Sequence, residues 1–157
     1  MIEPVHVDHQ HVVWADTDAG GRIHWSVVFR WAEAAEHTYL RTLGWQPEEA
    51  RSYPRRSTRA TYHRPLRFGQ RFELRLGVER VGTSSVTFVW TVVSEGETCV
   101  TGRHTVVHID GAGRPAPWPD HLRAGLAGGG RGAGLAGDGR GAGSGAQART
   151  GQGTSPE

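Results

Sequence analysis

Two acids and two glycines stand close together near the start of this chain. The run Trp14-Ala15-Asp16-Thr17-Asp18-Ala19-Gly20-Gly21 leads directly to Ser26 and a helical pattern. Such an arrangement can do carbonyl chemistry. The first turn of a helix has N–H groups without intrahelical partners and a partial positive charge, so it can stabilise negative charge developing on an oxygen. A carboxylate held beside it can take a proton from water or attack an electrophilic carbon itself. Paired glycines let the backbone turn tightly and leave room beside it. The same residues also fit a local reading, a turn or capping acid, because Asp before Gly is common in loops.

The elements that must position these residues follow from the pattern on either side. Ser26–Leu43 reads as a helix with Ser26 as N-cap and a broad apolar stripe of Val27, Val28, Trp31, Ala34, Ala35, Thr38 and Tyr39. Arg30, Glu33, His37 and Arg41 fall on the other face. Gly44 follows as the C′ residue and Pro47 stops continuation. The width of the stripe predicts a helix covered on most sides. Upstream, Val5–Trp14 is rich in Val and His and suits a strand. Downstream, one strand ends at Pro65, and the next alternates, with Phe72, Leu74, Leu76 and Val78 on one side and Arg71, Glu73, Arg75 and Glu79 on the other. Ser84–Ser94 is β-branched and aromatic, and Glu95-Gly96-Glu97 makes a tight hairpin into Thr98–Asp110. A loop leads to a short helix, Asp120–Leu126, capped by Asp120. Strand, long helix, then consecutive antiparallel strands is an α+β order, with one helix against a sheet made mostly of hairpins.

The whole chain has 157 residues, 36% of them hydrophobic, and a mean hydropathy of −0.50. The apolar deficit is local. Residues 127–157 hold almost no large apolar side chains and read as a disordered Gly-rich tail. Residues 1–126 form one domain of ordinary size. An RGG-like nucleic-acid tail is the sharper reading of the C-terminus, but its arginines are sparse and no aromatics interleave them. The formal charge is +2, every basic residue is Arg, and the arginines alternate with Glu, which describes a solvated mixed surface rather than a nucleic-acid patch. Cys99 has no partner for an internal disulfide. No secretory leader pattern and no membrane-length apolar run occur, which implies a soluble cytoplasmic protein and no membrane partner.

Competing chemistries fail on spacing. Counted from Asp16, a calcium loop needs an acid at position twelve, where Val27 stands. His6, His9 and His11 lack the further ligands a zinc site needs. No Gly-rich loop ends in Lys-Ser or Lys-Thr. No cofactor and no metal are expected.

In order and spacing, "ADTDAGG" with the helix segment "FRWAEAA", then "YHRPLRFGQRFEL", "ERVGTSSVTFVW" and "GRPAPWPDHLRAGL" resemble the hotdog-fold acyl-CoA thioesterases of the 4-hydroxybenzoyl-CoA thioesterase family. The resemblance covers about Val5 to Leu126. It implies an antiparallel sheet wrapped around one long central helix, dimers or tetramers, active sites at the dimer interface, and an acyl-CoA or acyl-carrier-protein substrate. It also implies that Asp18 is the catalytic acid and that the backbone N–H of Trp25 receives the thioester carbonyl. Hydrolysis to a free acid and thiol would then use Asp18 as general base or as nucleophile, two routes the sequence leaves open. Asp16 is better read as a turn residue ending the first strand.

The resemblance further marks substrate contacts. Gly20 and Gly21 leave room for the acyl chain. Glu33 lines the acyl pocket in relatives, although a surface charge ladder with Arg30 and His37 explains it equally well. His24 sits one residue before a position where relatives carry an aromatic residue or His, here Trp25, and Val28 replaces a usual Tyr. Tyr62 and His63 fall where relatives line the pocket, or are ordinary strand residues. Gly82, Thr83, Ser84 and Ser85 fall where relatives contact the pantetheine or phosphates of CoA, or form a plain turn; Arg80 and Arg103 lie near them in strand order. Two alternatives stand beside hydrolysis: a non-catalytic hotdog protein that binds acyl thioesters, and a hotdog hydratase or dehydratase. The latter's Asp-x-Asn-Pro-x-His run has no counterpart in "DTDAGGRIH".

Overall fold

The alternating run around Phe72 becomes a strand because one of its faces is apolar throughout. In the computed structural model, which describes residues 2–46, 48 and 53–129, it is β3 (Arg71–Val81), with Phe72, Leu74, Leu76 and Val78 all buried. It pairs with β1 (His6–His11) on one side and β4 (Ser85–Ser94) on the other, and β4 pairs with β5 (Glu97–Val107). Glu95 and Gly96, both at positive φ (53° and 77°), make the two-residue turn between β4 and β5.

β2 (Arg55–Tyr62) departs from the expected run of hairpins. The antiparallel sheet has the order β1-β3-β4-β5-β2, so β2 crosses to the far edge and pairs with β5. β1 already occupies the free edge of β3, from His6 opposite Leu76 to His11 opposite Arg71. The sequence of β2, Arg-Arg-Ser-Thr-Arg-Ala-Thr-Tyr, is largely polar and exposed, as an edge strand tolerates.

α1 (Val27–Thr42) lies along the inner face of this sheet. Its C-terminus closes as expected of Gly44, which has φ 91°. The Trp45 N–H bonds the Leu40 carbonyl and the Gly44 N–H bonds the Arg41 carbonyl, a Schellman motif. Pro47 lies outside the described residues. The buried face is Val27, Val28, Trp31, Ala32, Ala35, Glu36, Tyr39 and Leu40, whereas Ala34 and Thr38, expected to be covered, are not buried. Within one chain the sheet therefore covers one face of α1, and the opposite face is open. The stripe is rotated from the expected one because Glu36 is buried by ion pairing rather than by hydrophobicity.

Ser26 caps α1 by position alone. Its backbone is already helical (φ −78°, ψ −18°), and its side chain makes no capping bond. α2 (Asp120–Gly129) runs past Leu126, and residues 130–157 of the Gly-rich tail lie outside the described residues. The Pro119 carbonyl accepts the Arg123 N–H, so Asp120 opens the helix rather than capping it. Leu122 and Leu126 join the core, and Gly125 packs against Leu43. The core between sheet and helices includes Trp31 against Phe72, with ring centroids 4.3 Å apart, and Phe88, Trp90 and Val92 from β4. Cys99 is buried, with its thiol pushed up by burial. No helix among the described residues is long and apolar enough to cross a membrane.

Candidate active site

The chain leaves β1 through a 3-10 turn, Trp14–Asp16, and doubles back through an isolated bridge between Thr17 and Ile23. Asp18 donates its N–H to the Arg22 carbonyl at 2.8 Å, and Gly21 donates to the Asp18 carbonyl at 3.0 Å. Gly21 has φ 70°, the left-handed region in which an L side chain is strained. The turn is pinned at its base, where the Ile23 N–H reaches the Leu66 carbonyl (2.9 Å) and the His24 N–H reaches the Asp16 carbonyl (2.7 Å).

The two acids in this turn are held in opposite ways. Asp18 is exposed, and its Oδ1 accepts the Gly20 N–H at 2.8 Å and, more weakly, the Arg22 N–H at 3.4 Å. Its Oδ2 has no hydrogen-bond partner among the described residues. One oxygen thus fixes the carboxylate while the other stays open. A Cβ on Gly20 would meet Asp18 Oδ1 at 3.1 Å, so Gly20 lets the carboxylate fold over the turn. Asp16, by contrast, is 3% exposed, ion-paired with Arg30, and accepts the Val13 N–H at 3.1 Å. Asp16 thus sits in the turn that follows β1, as expected, and its carboxylate also anchors that turn to α1.

The first turn of α1 stands next to this loop. Trp25 is 64% exposed, and its N–H has no acceptor among the described residues. Its carbonyl accepts the hydroxyl of Tyr62, from the end of β2. Burial pushes the Tyr62 phenol up. His24 is exposed, and its Nδ1 lies 2.7 Å from Ser26 Oγ and 3.3 Å from the Ser26 backbone nitrogen. The side chain expected to cap the helix thus holds the imidazole instead. Val28 is buried.

Tyr62 and His63 line a cavity of about 490 Å³ together with Arg22, Ile23, Arg64 and Pro65. His63 is oriented by Thr101, at 2.9 Å from its Nε2. A smaller cavity of about 350 Å³ opens beside His24, Ser26 and Arg30. The sequence-derived candidates Asp18, Gly20, Gly21, His24, Trp25, Tyr62 and His63 therefore gather at one end of the sheet.

Two other groups lie elsewhere in the same chain. Glu33 is two turns along α1, paired with Arg55 at 3.2 Å. Gly82, Thr83, Ser84 and Ser85 turn at the opposite end of β3 and β4. There the Thr83 and Ser84 carbonyls accept the Trp118 and His108 N–H groups. Arg103 pairs with Glu79 at 2.5 Å.

A buried polar cluster lies beneath α1. Glu36 is 0% exposed, and its Oε2 pairs with Arg55 and lies 2.5 Å from Nε2 of the buried His104. The indole N–H of Trp90 donates to His104 Nδ1 at 3.2 Å, so a neutral imidazole carries its proton on Nε2 and donates to Glu36. Burial pushes the Glu36 carboxyl up, but the His104 hydrogen bond and the Arg55 charge outweigh it and hold the group below its ordinary value. This is an acid–histidine couple of the kind hydration chemistry uses, yet it is closed inside the core. The signal for it was faint: Val28, Ala32, Glu36 and Leu40 form one i, i+4 row, apolar but for the acid.

The sequence of residues 12–126 matches the family described as the thioesterase-like superfamily. No curated protein matches the chain in sequence. Solved structures that resemble it include the PA5185 protein of Pseudomonas aeruginosa strain PAO1, 28% identical over 81% of this chain and 92% of that one, with a TM-score of 0.74. A predicted thioesterase of Bacillus stearothermophilus is 26% identical over 79% of this chain and 95% of that one, with a TM-score of 0.71. A thioesterase of Thermus thermophilus, complexed with coenzyme A and zinc, is 24% identical over 82% of this chain and 96% of that one, with a TM-score of 0.73.

Proposed function

From the premise that the chain belongs to the thioesterase-like superfamily, we propose that it is a thioester hydrolase. It cleaves an acyl-CoA, or the same acyl group on a carrier protein, to a carboxylic acid and a thiol. The observation that carries this reading is the arrangement at the start of α1: an exposed carboxylate fixed through one oxygen, on a glycine turn bonded directly to a helix start whose Trp25 N–H is unengaged among the described residues.

The chemistry follows from those groups. The thioester carbonyl oxygen takes the Trp25 N–H, with the positive end of α1 behind it, and gains charge there as the tetrahedral intermediate forms. Asp18 Oδ2 removes a proton from water, and the resulting hydroxide adds to the carbonyl carbon. Collapse breaks the C–S bond, and the thiolate leaves and is protonated. In the alternative route Oδ2 itself adds, the thiolate leaves, and water hydrolyses the mixed anhydride. A coenzyme A thioester is also supported by the relative that was solved with coenzyme A bound.

The test is thiol release from a panel of acyl-CoAs and acylated carrier proteins, with wild type and Asp18→Asn side by side. Hydrolysis by the wild type that falls about 100-fold or more in the variant is the expected result. Equal rates would remove Asp18 from the mechanism. A protein that binds these thioesters without turning any over would be a binding protein instead. Single turnover in ¹⁸O-labelled water separates the two routes, because only the anhydride route can pass an unlabelled Asp18 oxygen to the product acid and leave label on the enzyme.

A further inference from the structure

We propose that the cavity between the glycine turn and the end of β2 binds an anionic group, phosphate or carboxylate, carried by the thioester substrate. The inference rests on the thioester reading above and adds where the substrate's charge is held.

Its walls come from two segments tied together by backbone. Arg22 and Ile23 belong to the glycine turn, and Tyr62, His63, Arg64 and Pro65 to the segment leaving β2. The His63 and Arg64 N–H groups both donate to the Cys99 carbonyl, at 2.8 and 3.1 Å, which clamps that segment to β5. The Ile23 N–H donates to the Leu66 carbonyl, which clamps the turn to the same segment. The cavity is therefore built before any ligand arrives, and its volume of about 490 Å³ lies within the range of small-molecule sites, roughly 300–1,000 Å³.

The lining carries charge of one sign. It contains two guanidinium groups and one imidazole and no carboxylate. Arg22 has no ion-pair partner among the described residues. Asp18, the acid nearest to it in sequence, directs Oδ1 at the Gly20 and Arg22 backbone N–H groups rather than at a guanidinium. Arg64 meets Glu97 at 3.3 Å, but both side chains are more than half exposed, so that pair is weak and its partner exchangeable. Guanidinium forks match phosphate and carboxylate oxygens in two-point geometry. Ile23 and Pro65 in the lining offer apolar contact to whatever links the anion to the thioester.

The connection to the reacting centre is direct. Tyr62 lines this cavity, and its hydroxyl donates to the Trp25 carbonyl. An anion held by Arg22 and Arg64 therefore shares its cavity with the residue whose hydroxyl holds the Trp25 carbonyl. Two sources fit this chemistry, the phosphates of CoA or of a carrier's phosphopantetheine, and a carboxylate on the acyl group.

The experiment compares wild type with Arg22→Gln/Arg64→Gln and with the charge-retaining Arg22→Lys/Arg64→Lys. Calorimetry measures affinity for free coenzyme A and for pantetheine, and turnover measures KM for glutaryl-CoA against valeryl-CoA. A phosphate site predicts that the Gln pair binds coenzyme A about tenfold more weakly, while its affinity for pantetheine holds within about a factor of two. A carboxylate site predicts unchanged coenzyme A affinity and loss of any preference for the glutaryl thioester. In either case the Lys pair recovers much of the loss, and the wild-type affinity falls as salt is raised. Unchanged affinities and KM ratios in the Gln pair overturn the proposal, and so does equal weakening for charged and neutral ligands. Failure of the hydrolase reading looks different: the wild type would turn over no thioester yet still bind coenzyme A in an arginine-dependent way.

Discussion

At the scale of single residues, the difference between Asp16 and Asp18 is a difference of environment rather than of type. Asp16 is buried on Arg30 and on the Val13 N–H, so both its charge and its lone pairs are committed to structure. Asp18 is fixed through one oxygen and open at the other. That contrast could not be seen in "DTD", where the two acids are identical in kind and two positions apart. Tyr62 is a second residue whose role follows from its contact. Its hydroxyl holds the Trp25 carbonyl, and the Trp25–Ser26 peptide is part of the turn that presents the Trp25 N–H. Tyr62→Phe removes the hydroxyl and keeps the ring. It is expected to lower kcat about tenfold, the worth of roughly one hydrogen bond, while KM changes little. Steady-state kinetics on one acyl-CoA checks this, and a loss confined to KM would make Tyr62 a ground-state binding contact only.

At the scale of elements, α1 and β3 were legible because periodicity alone defines them, and the Gly44 stop was legible because few residues close a Schellman motif. The crossing of β2 was not legible. Strand order depends on which edge is free, and β1 takes the edge of β3 that β2 would otherwise have used. Nor was the cluster beneath α1 legible, because burial of Glu36 depends on Arg55 and His104, which lie 19 and 68 residues away. Burial opposes the Glu36 charge, and the His104 hydrogen bond and Arg55 outweigh it, so the folded-state pKa lies below that of the unfolded chain. The stabilisation is then fully present above the ordinary glutamate range and is lost as pH falls through the folded value. Thermal melts from neutral pH into the acid range should show the wild type losing stability on acidification more steeply than Glu36→Gln. Glu36→Ala is expected to cost about 3 kcal/mol at neutral pH, near the lower bound for breaking a buried pair, because Arg55 remains about a third exposed and paired with Glu33. The same cluster explains Gly102. Trp90 lies across it so closely that a Cβ there would overlap the indole ring. Gly102→Ala should therefore displace Trp90 from His104 and destabilise by about 1–3 kcal/mol in chemical denaturation.

At the scale of the whole molecule, the sequence-derived site, Glu33 on Arg55 aside, divides in two. Asp18, Trp25 and Tyr62 gather where β3 begins, whereas Gly82–Ser85 turns where it ends, with Val81 opposite Val86 and Ser85 opposite Val107. The 11 residues of β3 separate the two ends, about 30 Å at the rise of a strand. If both groups serve one substrate, they must come from different copies of the chain. A symmetric dimer that juxtaposes them would hold two such composite sites. Two variants expected to be impaired then become informative together: Asp18→Asn, and Thr83→Val/Ser84→Ala in the distant turn. Neither alone should hydrolyse thioesters well, the first for want of the base and the second for want of hydroxyl contacts. Unfolded and refolded as an equimolar mixture, half the dimers are mixed, and each mixed dimer has one site with both parts intact. About a quarter of wild-type activity should return if exchange is random and the assembly is a two-fold dimer. Mixing that restores nothing beyond the average of the separate variants would confine the working site to one chain, at the end where α1 begins.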